Sequence, residues 1–105
     1  MTIDQLTDFF EENGFNVYQF EQDGQRCAEL EKWTYGGLDM IITLIPFTKD
    51  EFISYVDDFD IDEKIDFYRN DKSYKNTFTI HQSLKDFTEF NNMLKRVVEK
   101  LKKEE

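Results

Sequence analysis

A chain of 105 residues is long enough for one hydrophobic core and too short for two. With 39% hydrophobic and 16% aromatic residues it falls outside the disordered class, and it has no apolar run near the length of about 18 residues that spans a bilayer. The net charge of −10 is uneven: residues 1–71 hold 18 acids against 5 bases, whereas residues 72–105 hold 5 acids against 8 bases. A segment so negative repels nucleic acid and anionic membrane, so direct binding to either is not expected, and it attracts basic proteins.

A single cysteine, Cys27, excludes an internal disulfide and fits a reducing compartment. The start, "MTIDQLTDFF", lacks the charged-then-apolar layout of a signal peptide. A cytoplasmic location in a bacterial host is therefore expected. One Ala and one Pro among many Lys, Asn, Ile and Phe suggest an AT-rich genome, such as a low-GC bacterium or its phage.

In chain order, "TIDQL" makes Thr2 an N-cap, with Gln5 completing a capping box. Ile3, Leu6, Phe9 and Phe10 follow at helical spacing, and Gly14 stops the helix. Asp23-Gly24 and Gly36-Gly37 are hairpin-turn dipeptides between runs rich in β-branched and aromatic residues. They predict a three-stranded antiparallel meander over about 16–22, 25–35 and 38–45. The last run, "MIITLI", is apolar on both faces, which predicts it as the most buried strand.

After Pro46, Thr48 and Glu51 form a second capping box, with Phe47 and Phe52 as its hydrophobic staple, predicting a helix over 49–58. Asp60 and Glu63 repeat the logic for a helix over 61–69. "YKNTFTI", 74–80, reads as either a short edge strand or a covering loop. Ser83 then caps a long helix over 84–102, whose stripe Phe87, Phe90, Leu94, Val97 and Leu101 steps by three and four. That stripe is too short for a coiled coil, so it should pack on the sheet or the other helices and leave the free protein monomeric. The element order predicts one α+β domain over 1–105, with helices covering one face of a small antiparallel sheet.

Chemistry is sparse. Asp58, Asp60 and Asp62 have the D-x-D-x-D start of a calcium loop, but Glu63 stands where the loop needs Gly, and Arg69 where it needs Glu. Transition-metal sites need several Cys or His ligands, and Cys27 and His81 lie 54 positions apart. No phosphate-binding glycine motif and no nucleophile–base pair is legible. No catalytic residue, metal or cofactor is expected.

The acids of 50–71 are the outstanding feature: nine against two bases. On a helical wheel Asp50, Glu51, Asp57 and Asp58 oppose Phe52, Ile53 and Val56, and Asp62, Glu63 and Asp66 oppose Ile61 and Ile65. Two consecutive helices thus turn carboxylates outward together. Like charges three and four apart cost stability, a cost that fits a surface made for a basic partner. An acidic protein kept soluble by its charge fits the same residues. Phe67 lies off its helix's apolar stripe, and Trp33 and Tyr35 flank the Gly36-Gly37 turn. Each of the three reads either as an interface anchor beside the charge or as core.

In size, charge and element order the chain resembles some small acidic anti-CRISPR proteins of phages and mobile genetic elements. The hairpins at "QDGQ" and "YGGL" and the cluster "DDFDIDEKID" carry the likeness. It implies an inhibitor that mimics nucleic acid, and a CRISPR-associated nuclease as the target. The same charge pattern also suits an acidic immunity protein or antitoxin against a nuclease toxin. A regulatory adaptor that meets its partner through apolar surface is the third possibility.

Overall fold

The computed structural model describes residues 1–70 and 80–104. Helix α1 (Ile3–Glu12) opens on the expected capping box: the Gln5 N–H donates to Thr2 Oγ1 at 3.1 Å, and the Thr2 N–H donates to Gln5 Oε1 at 2.8 Å. Gly14, at φ +90°, takes the left-handed conformation that ends the helix. Strands β1 (Asn16–Gln22), β2 (Gln25–Trp33) and β3 (Asp39–Leu44) form an antiparallel meander in the order β1-β2-β3. Asp23 and Gly24 both have positive φ in the first hairpin turn, as a two-residue turn of the primed type requires. The architecture is α+β, with α2 (Lys49–Asp57), α3 (Ile61–Asn70) and α4 (Ile80–Lys102) following the sheet.

The sheet register pairs Ala28 with Leu44, Leu30 with Ile42 and Val17 with Leu30, so these residues share one face. Helices α1 and α2 pack on that face, α4 adds its apolar stripe to the same core, and α3 packs on α4. Phe10 lies at the centre, with its ring centroid 4.8 Å from Phe52, 5.4 Å from Phe9, 5.8 Å from Phe15 and 6.2 Å from Phe47. Phe47 and Phe52, the expected staple pair, are thus both core residues packed on Phe10. From α4, Phe87, Phe90, Leu94, Val97 and Leu101 complete the cluster.

Several expectations are corrected. β3 is an edge strand with strict alternation: Met40, Ile42 and Leu44 are buried, whereas Ile41 and Thr43 are exposed. Among the described residues no helix or strand covers its outward face, so it is not the most buried strand; β2, flanked on both sides, is the central one. β2 ends at Trp33 instead of residue 35, because Thr34 enters the turn: its N–H donates to the Leu38 carbonyl and its carbonyl accepts from the Gly37 N–H. Ser83 does not cap α4. The helix already includes Ile80 and His81, and a serine inside a helix is only mildly unfavourable. Of the ambiguous stretch 74–80, residues 74–79 lie outside the described residues.

Candidate acidic docking face

The α2–α3 junction is built by two local devices. Thr48 Oγ1 accepts the Glu51 N–H at 3.2 Å and starts α2. Asp60 starts α3 by accepting the Asp62 N–H at 3.0 Å and the Glu63 N–H at 3.2 Å through one oxygen. Between them, Asp58 ends α2, with its N–H donating to the Ser54 carbonyl, and Phe59 turns inward toward Phe90. The reversal is tight, so the carboxylates at the end of one helix and the start of the next lie together.

They line a shallow groove of about 530 Å³. Asp57, Asp58, Asp60 and Asp62 form its rim, with Phe59, Ile61 and the exposed Leu84 of α4 as apolar surface. Asn91 contributes a shielded Oδ1 that has no hydrogen-bond partner among the described residues. Among the described residues, no Lys or Arg lines the groove. The one base of 57–66, Lys64, holds its ammonium 5.5 Å from the Tyr55 ring centroid and 5.8 Å from that of Phe59. The groove thus presents hydrogen-bond acceptors beside apolar surface, and the side chains that suit it are donors on long aliphatic stems.

The remaining expected residues are dispersed. Asp50 is exposed and Glu51 half-buried in the first turn of α2, about 12 Å along the axis from Asp58. Glu63 and Asp66 are exposed on α3 but do not line the groove. Phe67 is 65% exposed on the same helix, so its core reading is overturned.

Trp33 and Tyr35 are also exposed, at 58% and 92%, but they do not join the acidic groove. Trp33 pairs with Asp39, and alternation from Leu30 turns it to the sheet face opposite the helices. Tyr35 lies in the β2–β3 turn, which is held to α4 through Asp86. Leu84, on the groove, and Asp86, on the turn, are two positions apart on α4, about 200° around its axis.

Among the described residues, no three His, Cys, Asp or Glu side chains stand close enough together to share a metal ion, and no helix is long and apolar enough to cross a membrane. Cys27 is fully buried. The sequence reading missed Leu84 and Asn91, which only the packing of α4 brings to the groove, and it missed the outward residues of the sheet. Comparison with protein-family models, with curated proteins and with solved structures finds no match to this chain.

Proposed function

We propose that this protein is a non-enzymatic acidic inhibitor that docks its α2–α3 face on the basic nucleic-acid-binding groove of an effector nuclease. One observation carries the reading: four aspartates, Asp57, Asp58, Asp60 and Asp62, line a groove whose described lining contains acceptors and apolar surface but no base. Arg and Lys side chains that normally meet phosphates can instead meet these carboxylates, while their stems lie along Ile61 and Leu84. Charge repulsion among the acids is relieved on docking. The likeness in size, charge and element order makes a CRISPR-associated nuclease the most concrete target.

The test is DNA cleavage by such a nuclease with increasing amounts of the protein, and competition between the protein and DNA for the nuclease. The comparison variant is Asp58→Lys/Asp62→Lys/Asp66→Lys, which spares the Asp60 cap and every buried side chain. The expected result is inhibition that DNA competes away and that the variant loses by tenfold or more, as roughly 1.4 kcal/mol or greater. Full inhibition by the folded variant, or inhibition indifferent to DNA concentration, would sink the mimicry reading.

A further inference from the structure

The last turns of α4 divide their side chains by charge. Leu94, Val97, Val98 and Leu101 are buried. The opposite arc from 95 to 103 carries Lys95, Arg96, Glu99, Lys100, Lys102 and Lys103, all exposed. Five bases to one acid is the reverse of a chain whose net charge is −10.

The helix dipole accounts for only part of this. Its attraction for cations fades within the last turn, where Lys100 and Lys102 lie. Arg96 stands about 9 Å before the helix end and four positions from Lys100, so the two repel. Lys102 meets Glu99 at 4.0 Å, and Lys100 Nζ donates to Asn13 Oδ1 at 3.2 Å. Arg96 and Lys103 form no ion pair among the described residues.

No apolar side chain lies on this arc, so negative charge is what recognises it. A long polyanion suits it poorly. Beyond the helix end, Glu104 joins Asp8 and Glu12 of α1 along one hollow, and a nucleic-acid backbone running past the bases would meet these carboxylates. A compact anionic patch avoids them, and the molecule has one. Asp57, Asp58, Asp60 and Asp62 are all exposed at the α2–α3 reversal, and their groove meets α4 at Leu84 and Asn91. Those two positions lie about 100° or more around the helix from Arg96, Lys100 and Lys103. A chain's own groove therefore faces away from these bases.

We propose that the basic stripe Arg96–Lys100–Lys103 docks on the α2–α3 groove of a second copy of this chain, head to tail. The contact joins different patches on the two copies, so it extends as a chain of copies and does not close as a two-fold dimer. Like net charge opposes it only at long range: at about 0.15 M salt the Debye length is about 8 Å. Unlike charges in contact then outweigh like charges elsewhere. A copy assembled in this way has its groove covered, so assembly and docking on a nuclease exclude each other. The proposal needs the charge of the groove and not the nuclease.

Sedimentation velocity of the full chain tests it. At about 0.15 M salt the mean mass should rise with protein concentration, and at about 1 M salt it should return to the monomer. Arg96→Gln/Lys103→Gln and Asp58→Asn/Asp62→Asn, each alone, should weaken association about tenfold. Each variant keeps the patch that the other lacks. Their mixture should therefore associate again and stop at a pair, with no longer chain. Matching circular dichroism spectra establish that both variants fold. Because Arg96→Gln/Lys103→Gln spares the α2–α3 groove, it tests this contact without testing nuclease docking.

Three results overturn the proposal: a monomer at every concentration, a variant that associates alone as strongly as the parent chain, or a mixture that does not associate. A labelled single-stranded DNA that binds the chain, and that Arg96→Gln/Lys103→Gln no longer binds, overturns it in favour of a phosphate backbone.

Discussion

Asp86 on α4 and Gly36 in the β2–β3 turn, 50 residues apart, are joined by a hydrogen bond of 2.9 Å from the Gly36 N–H to Asp86 Oδ2. The same oxygen accepts the Thr34 hydroxyl at 2.9 Å, and Thr34 Oγ1 in turn accepts the Leu38 N–H. Asp86 and Thr34 are both buried. A Cβ at residue 36 would overlap the Asp86 carboxylate, so glycine is required there by close approach, not by backbone conformation. One buried carboxylate therefore ties the long helix to the turn that carries Tyr35 and follows Trp33.

Asp86→Ala strands the Thr34 hydroxyl and the Gly36 N–H. It should lower stability by about 2–3 kcal/mol, the range for hydrogen bonds to a charged group. Gly36→Ala should cost a comparable amount by pushing the carboxylate away. Because both break the same contact, the double variant should lose less than the sum of the two. Urea unfolding of the three variants checks this, and simple additivity would show that the contact is not shared.

Phe52→Ala removes a fully buried ring that packs on both Phe10 and Phe15. A loss of about 3–5 kcal/mol is expected, enough to unfold a marginal domain of this size at ambient temperature. Phe67→Ala, at an exposed position of α3, should change stability by less than about 0.5 kcal/mol. Thermal unfolding followed by circular dichroism compares the two.

Asp60→Ala should cost about 1 kcal/mol through loss of the cap on the Asp62 and Glu63 N–H groups. Asp60→Asn keeps an acceptor oxygen and should cost only a few tenths. If Asp60→Ala leaves the unfolding midpoint unchanged, the start of α3 does not depend on that cap. The same pair separates the structural part of Asp60 from its charge in any binding assay.

Asp39 makes stability depend on pH in a definite sense. Its carboxyl is raised from 3.8 by partial shielding and by the hydrogen bond and charge of Glu31. A carboxyl raised in the fold holds its proton more tightly there than in the unfolded chain. Its contribution is fully present below the unfolded value and is lost as pH rises through the raised folded value. Asp39→Asn should therefore raise the melting temperature at pH 7, with the gain shrinking toward zero near pH 4. A gain that is the same at both values would exclude this origin.

Where the sequence was informative, the deciding residues lay within four positions of one another. The Thr2/Gln5 box, the Asp60 cap and the Asp23-Gly24 turn are all local chemistry, and each forms where expected. The errors arose where packing at long range decided. "MIITLI" offered apolar residues to both faces, and composition alone could not say that Ile41 and Thr43 would stay exposed. Ser83 looked like a start signal, but α4 runs through it from Ile80. Trp33 and Phe67, both next to charge in sequence, ended on opposite sides of the sheet.

The sequence by itself determined the element order, the antiparallel meander and the acidity of the α2–α3 junction, because caps, turn dipeptides and apolar periodicity act between near neighbours. Only the tertiary structure decided which set of alternating strand residues the helices cover. Both sets are partly apolar, so the choice rests on the fit of Phe10, Phe52, Phe87 and Leu94 against Leu30 and Ile42. That choice leaves Tyr18, Trp33 and Ile41 in the open, and it also brings Leu84 and Asn91 of α4 beside the aspartates of 57–62. The acidic groove is thus a consequence of packing between residues that are far apart in the chain.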